Sequence, residues 1–376
     1  MKIVADEKIP FLEGVLEPYA DVVYLPGKKI SPGIVRNADA LIIRTRTICD
    51  KELLEGSSVK FIASATIGFD HIDDKYCKKQ GISWTNAPGC NSASVQQYLA
   101  AVLVYLIRKY LLNTGTLTFG IIGVGNVGSK VKKLGELLGM KVLLNDPPRE
   151  RREGSAIFTE LYDLIHQSDI VTLHVPLAFS DPDKTYHMVN NQFLNCLKHD
   201  CILINTSRGS VVDEQALKQT LKQGRLKGAI LDVWENEPDI DRELLQMVDI
   251  GTPHIAGYSQ DGKANGTSMS VKALAHYFKL PLENWYPGKI PSPEQPDIYI
   301  DGKNNIPETL LHDLIYHTYP VKQDDLALRK DPDKFEYLRG NYPVRREFKA
   351  YNVVPDNIPS SLIEKIEQFG FQNKSK

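Results

Sequence analysis

At 376 residues the chain is too long for one ordinary hydrophobic core, and about two or three domains are expected. Its composition, 42% hydrophobic and 24% charged with a formal net charge of −2, is that of a soluble globular protein and lacks the basic excess of a nucleic-acid binder. The longest apolar run, YLAAVLVYLI, is closed by Arg108 and Lys109, short of the ~18 residues that argue for a membrane span. The N-terminal MKIVADEKIPF turns charged too early for a signal peptide. Cys49, Cys77, Cys90, Cys196 and Cys201 are odd in number and form no CxxC pair. They suit a reduced, cytoplasmic compartment and free structural thiols, with no metal site.

The first elements are short β-rich runs, KIVAD, VVYLP, ALIIRT, FIASAT and ISWTN, each followed by a polar or helix-like connector. That alternation predicts a parallel α/β layer. A helix from about residue 92 to 112 comes next, opened by Asn and Ser residues that suit an N-cap. Its length suits a spine between two α/β units better than a crossover. A second alternating series runs through TFGIIG, KVLLND, IVTLHV, CILINTS, AILDVW and DIGTP. Three of these six runs, TFGIIG, KVLLND and CILINTS, end in a polar residue or glycine, at the carboxyl edge where open parallel sheets bind ligands. A further helix is expected near residues 262–278. The segment PLENWYPGKIPSPEQP carries five prolines in sixteen residues and marks a boundary. Beyond it, a strand-like DIYI and the helical PETLLHDLIYHTY and SSLIEKIEQFG form a small appended module for assembly or regulation.

Gly123-Val124-Gly125-Asn126-Val127-Gly128 is a GxGxxG between a strand and a helix. In that context its glycines allow a tight turn, close approach of a pyrophosphate and close helix–strand packing, and the helix N-terminus favours the phosphate charge. Eighteen residues past Gly128, Asp146 ends the next strand. A carboxylate there can accept from the adenine ribose hydroxyls and oppose a 2′-phosphate, favouring NAD over NADP. Arg149, Arg151 and Arg152 argue mildly the other way. Arg208 follows CILINTS and can grip a carboxylate with its planar fork. Glu237 lies in DVWENEP, and His254 in GTPHIAGYS. Alone, His254 fits a structural residue better than a catalytic one. As one of three functional residues on successive strand–loop junctions it reads as a proton handler. In that reading Glu237 holds its imidazole and Arg208 anchors the substrate.

On GVGNVG, INTSRGSVVDEQAL, LDVWENEP and TPHIAG, with SATIGFDHID and NAPGCN upstream, the chain resembles the D-2-hydroxyacid dehydrogenase family over most of its first 280 residues. The resemblance implies Arg208, Glu237 and His254 as catalytic. It places Asp232, the Asn205–Thr206–Ser207 edge, Arg208, Val175 and Gly257 along NAD. It also implies two Rossmann-like doubly wound α/β domains: a split substrate domain, 1–92 completed by 258–280, and an NAD-binding domain, 93–257. A small α+β dimerisation domain, 286–376, completes the chain. AGYSQDGKANGT after the histidine and DDLALRK and FEYLRGNYPVRREF in the tail are similar to a homodimeric branch acting on a small phosphorylated 2-hydroxy acid. Val175 stands where threonine is frequent, and Thr45 where serine is found. Two alternatives stay open: a dehydrogenase of 3-phosphoglycerate or another 2-hydroxy acid, and a non-catalytic NAD(H)-sensing corepressor. The intact Arg–Glu–His set disfavours the second.

A substrate with a carboxylate and a phosphate needs cations or donors at both ends, and Arg208 serves one. Arg44, Arg46, Thr45, Thr66 and Tyr258 are candidates for the rest. A basic pair in the tail, Arg345 and Arg346, is either ordinary surface charge or a contribution to a partner's site in a dimer.

Overall fold

A computed structural model describes residues 1–303 and 305–374; residues 304, 375 and 376 of the expected C-terminal domain lie outside the described residues. The chain divides into two compact units, one of residues 1–91 and 259–291, the other of residues 92–258 and 292–376.

In the first unit, β1 (Lys2–Asp6), β2 (Asp21–Leu25), β3 (Ala40–Ile43), β4 (Phe61–Ser64) and β5 (Ser83–Thr85) form one parallel sheet in the order β2-β1-β3-β4-β5. β3 and β4 are buried at every position, as expected of parallel strands covered on both faces. The helix Gln260–Phe278 covers one face, packing Val271 and Leu274 against Ile3, Ala5 and Ile42. The Ser259 hydroxyl caps it by accepting the Gly262 N–H at 2.8 Å. Val35, Leu53, Leu54 and Cys77 cover the other face.

In the second unit, β6 (Thr118–Ile122), β7 (Lys141–Asn145), β8 (Ile170–Leu173), β9 (Cys201–Asn205), β10 (Leu226–Leu231) and β11 (Ile250–Gly251) are again all parallel. Their order is β11-β10-β9-β8-β6-β7, so the winding reverses between β6 and β8. Both sheets are doubly wound, and a reversal of this kind opens a ligand crevice at the carboxyl edge.

The helix Ser92–Tyr110 is interior to this unit rather than a spine between units. Its buried residues share one core with Phe119 and Ile121 of β6 and with Leu311, Leu314 and Ile315 of the tail. A helix that is apolar nearly all round must be covered all round, and the tail supplies the missing cover. The tail carries β12 (Asp297–Asp301), β13 (Asn352–Asp356) and β14 (Gln372–Asn373), a parallel sheet in that order. Its helices are Pro307–Thr318, Lys322–Lys330, Phe335–Gly340 and Ser360–Phe369. The helix Lys322–Lys330 meets the short edge strand β11, where the fully buried Asp325 accepts the Gly251 N–H at 2.8 Å. Arg329 at 2.8 Å and Lys322 at 2.5 Å neutralise that carboxylate. The five cysteines are free, and among the described residues no helix is long and apolar enough to cross a membrane.

Candidate active site

β6 runs directly into the glycine loop at the point of reversal. Gly123 has φ +87°, and a Cβ there would stand 2.7 Å from the backbone of His174. A Cβ on Gly128 would lie 2.0 Å from the Gly123 carbonyl oxygen. Both positions therefore exclude a side chain, for different reasons. Gly125 is the N-cap of the helix Asn126–Leu137; no side chain caps that end, and nothing lies within 4 Å of where its Cβ would be. Asn126 and Val127 open the helix. The result is an open cradle of backbone N–H groups at the positive end of a twelve-residue helix, which fits the pyrophosphate of a dinucleotide.

Asp146, just past β7, caps the helix Pro147–Glu153 by accepting the Arg149 N–H at 3.0 Å. Its other oxygen accepts the Val124 N–H at 2.7 Å, tying the carboxylate to the glycine loop. The arginines that argued for NADP are engaged elsewhere. Arg149 and Arg152 pair with Glu153 at 2.6 and 2.8 Å, and Arg151 with Asp183 at 2.5 Å.

His254 follows β11 and carries φ +56°, a left-handed backbone uncommon outside glycine and often found at functional sites. Its Nδ1 donates to Glu237 Oε2 at 2.8 Å, which leaves Nε2 to exchange a proton. Glu237 Oε1 accepts the Trp234 N–H at 2.9 Å. Burial opposes ionisation of Glu237, yet the His254 charge and hydrogen bond, the Trp234 amide and the Arg339 cation together hold its carboxyl below the ordinary range.

The loop bearing His254 is held from below by Asp232, which is 1% exposed. Asp232 accepts the Thr252 hydroxyl at 2.7 Å and the N–H groups of Ile255 and Ala256 at 2.8 and 2.9 Å. Burial nevertheless pushes the Asp232 carboxyl up. Tyr98 in turn donates its hydroxyl to Thr252 at 2.7 Å. One strand over, Asn205 folds the turn after β9: its Oδ1 accepts from the Ser207 amide and hydroxyl at 3.0 and 2.8 Å, and its Nδ2 donates to the Arg208 carbonyl at 2.9 Å. Arg208 Nη1 donates to the Ser207 carbonyl at 2.8 Å. At Gly209 a Cβ would fall 1.9 Å from the Trp234 carbonyl oxygen, so the Arg208 turn packs directly on the loop that carries Glu237.

The second unit thus gathers the catalytic candidates and all the expected cofactor residues. Ser207 and Asp232 are buried and their side chains serve the loops, whereas Thr206, Val175 and Gly257 are partly exposed. Sequence reasoning missed Trp234, Thr252 and His174. His174 sits between Thr172 (3.1 Å) and Thr206 (3.5 Å), and burial pushes its imidazole down to about 3. Its only signal was its place at the end of β8.

Of the substrate candidates, Arg44, Thr45, Arg46 and Thr66 belong to the first unit, beyond the ends of β3 and β4. Arg44 donates to the Lys8 carbonyl at 3.3 Å, Thr45 and Arg46 are exposed, and Thr66 bonds to Ser64 at 2.8 Å. Tyr258 lies in the second unit, with Tyr342 edge-on at 6.1 Å and the Arg339 guanidinium 5.6 Å from its ring. The expectation for Arg345 as surface charge or a reach into a partner's site is corrected: it is 5% exposed and hydrogen-bonded within its own chain.

A histidine backed by a carboxylate can take the proton of a hydroxyl, and the arginine turn beside it can grip an acid group. Next to a dinucleotide cradle, that chemistry is the work of an NAD-dependent dehydrogenase of 2-hydroxy acids. Comparison with known proteins agrees. Residues 108–256 match the D-isomer specific 2-hydroxyacid dehydrogenase NAD-binding domain, and residues 290–370 match a domain of unknown function. The chain is 49% identical to the erythronate-4-phosphate dehydrogenase of Bacteroides fragilis, over 94% of this chain and 99% of that one. It is 39% identical to that of Photorhabdus laumondii over 100% of both chains. Among solved structures, the D-lactate dehydrogenase of Aquifex aeolicus complexed with NAD and lactic acid matches with a TM-score of 0.63 and 29% identity, covering 75% of this chain and 97% of that chain. The chain belongs to the D-isomer specific 2-hydroxyacid dehydrogenase family, in its erythronate-4-phosphate dehydrogenase branch.

Proposed function

We propose that the protein oxidises 4-phospho-D-erythronate to 3-hydroxy-2-oxo-4-phosphooxybutanoate with NAD, a step of pyridoxal 5′-phosphate synthesis, in the cytoplasm and as a homodimer joined through residues 286–376. The observation that carries the reading is the 2.8 Å His254–Glu237 pair beside the Arg208 turn, in a chain 49% identical to a relative of that name along nearly its full length. Arg208 grips the substrate carboxylate, and His254 Nε2 takes the C2 hydroxyl proton. Glu237 keeps Nδ1 protonated and stabilises the imidazolium that forms. The chemistry NAD supplies when bound is acceptance of the C2 hydride at its nicotinamide. Thr45, Thr66, Tyr258, Arg44 and Arg46 contact the remainder of the substrate.

The test is an NADH assay comparing 4-phosphoerythronate, 3-phosphoglycerate and D-lactate, with a 2-oxo acid supplied to reoxidise retained NADH. Turnover of 4-phosphoerythronate at least ~10-fold above the others is expected, since a site built to bind a charged group loses heavily when that group is missing. Preference for 3-phosphoglycerate or D-lactate would reassign the substrate; no turnover of any of them would point to an NAD(H)-sensing protein.

Glu237→Gln removes the charge that favours the imidazolium and leaves one side-chain oxygen where two accepted, from the Trp234 N–H and from His254 Nδ1. For hydroxy acid oxidation, which needs neutral imidazole, the acid limb of the kcat profile should move to lower pH. An unmoved limb, measured by stopped flow from pH 5 to 9, defeats the His–Glu pairing as a functional unit.

Asp146→Asn keeps an acceptor for the Arg149 N–H and removes the charge that opposes a 2′-phosphate. The NAD-to-NADP ratio of kcat/KM should fall ~10-fold or more, on the scale of one lost charge interaction. Unchanged discrimination would mean that loop shape, not this carboxylate, selects the cofactor.

A further inference from the structure

Arg345 comes from the tail, yet it is buried against the loop that carries His254. Its Nη2 donates to the Ala256 carbonyl at 2.5 Å and to the Ser94 carbonyl at 3.3 Å, while Nη1 donates to the Ile255 carbonyl at 3.3 Å. Its guanidinium lies 4.5 Å from the Tyr319 ring centre. Asp324 supplies a nearby negative charge, accepting the hydroxyls of Tyr319 at 2.6 Å and Tyr342 at 2.7 Å. The neighbouring tail residues are laced to the helix Ser92–Tyr110: Ser94 donates to Glu347 at 2.9 Å, and Gln97 to the Arg346 carbonyl at 2.8 Å.

The two residues after His254 are therefore gripped on both sides of their peptide groups. Asp232 holds the N–H groups of Ile255 and Ala256, and Arg345 holds their carbonyls. His254 itself keeps a left-handed backbone, which costs free energy unless its surroundings enforce it. A buried cation is also costly unless it is hydrogen-bonded and paired.

We propose that Arg345 is a positioning residue for His254: the tail braces the catalytic loop of its own chain by clamping the Ile255 and Ala256 carbonyls. The proposal rests on the reading of His254 as acid–base. It makes the C-terminal domain part of the active-site framework within one subunit, whatever it does in assembly.

The test uses the full-length protein with Arg345→Lys, which keeps the charge but cannot span both carbonyls, and His254→Ala in parallel. Four quantities are read: kcat, the deuterium isotope effect on kcat with 2-deuterated substrate, NADH affinity by fluorescence, and amide exchange over residues 252–258. Misplacement of a catalytic group by an ångström can cost ~10²-fold, so Arg345→Lys should lower kcat by roughly 10- to 100-fold. The isotope effect should rise, exchange should quicken in that peptide, and NADH affinity should stay within about twofold because the glycine cradle is untouched. A folded Arg345→Lys protein with wild-type kcat overturns the proposal. So does a parallel fall of kcat and NADH affinity with an unchanged isotope effect, which would indicate general damage. If Arg345→Lys does not fold, Tyr342→Phe decides: it loosens Asp324 and keeps the ring, and a fall in kcat of a few fold with a raised isotope effect is expected, wild-type behaviour overturning the proposal. Retained turnover in His254→Ala would instead defeat the acid–base reading itself.

Discussion

Replacing His254 with alanine should slow hydride transfer by ~10² to 10⁴-fold, the range for loss of a general acid–base, and leave NADH affinity nearly unchanged. The imidazole Nε2 is its free proton-exchanging atom, since Nδ1 is committed to Glu237. The cradle for the dinucleotide lies at the end of β6, built from backbone around Gly123–Gly128, and needs nothing from this ring. One complication is the backbone: φ is +56° here, and alanine tolerates that region poorly. His254→Asn is the matched control, because asparagine accepts a left-handed conformation but cannot act as a base at neutral pH. Both variants should be equally slow in single-turnover measurements. Near-normal turnover in either one would return His254 to the status of a structural histidine. If only the alanine variant were slow, the loop conformation rather than the proton would be the important quantity.

Gly128→Ala should weaken NADH binding roughly 10- to 100-fold, in line with an overpacking cost of ~1–3 kcal/mol. The added Cβ would meet the Gly123 carbonyl oxygen at 2.0 Å, and that atom belongs to the backbone of the turn. No side chain can swing aside, so the helix must lift away from the strand and the cradle must open. The melting temperature should fall as well. Gly125→Ala is the informative contrast, since open space surrounds its Cβ position. That variant should melt like the parent but bind NADH less well, because the new methyl occupies ground the pyrophosphate needs. Titration of NADH fluorescence together with calorimetry distinguishes the two. Parent-like affinity in Gly128→Ala would show that the turn can absorb the methyl and that the contact is not limiting.

Much of this was legible in the amino-acid order alone. The eleven strands of the two doubly wound sheets could be read because each is a short apolar run between polar or helix-like connectors, a strictly local pattern. The glycine loop could be read for the same reason: its three demands fall within six residues. Arg208, Glu237 and His254 are legible as candidates because each follows its own strand, and a parallel sheet carries successive strand ends to one edge.

What only the tertiary structure decided concerns groups whose partners are remote in sequence. Arg149, Arg151 and Arg152 hinted at a 2′-phosphate until Glu153 and Asp183 were seen to engage them. Asp232 was placed along the cofactor by resemblance, and its hold on the His254 loop emerged only with Ile255 and Ala256 in place. Arg345 reads from the sequence as surface charge or as a reach into a partner's site, since an unpaired cation is too costly to bury. It is buried because its Nη groups donate to the carbonyls of Ile255 and Ala256, 90 and 89 residues earlier, and to that of Ser94, with the Asp324 carboxylate nearby. Periodicity encodes which residues face inward; it does not encode what meets them there, and for a charged side chain that meeting decides between surface and core.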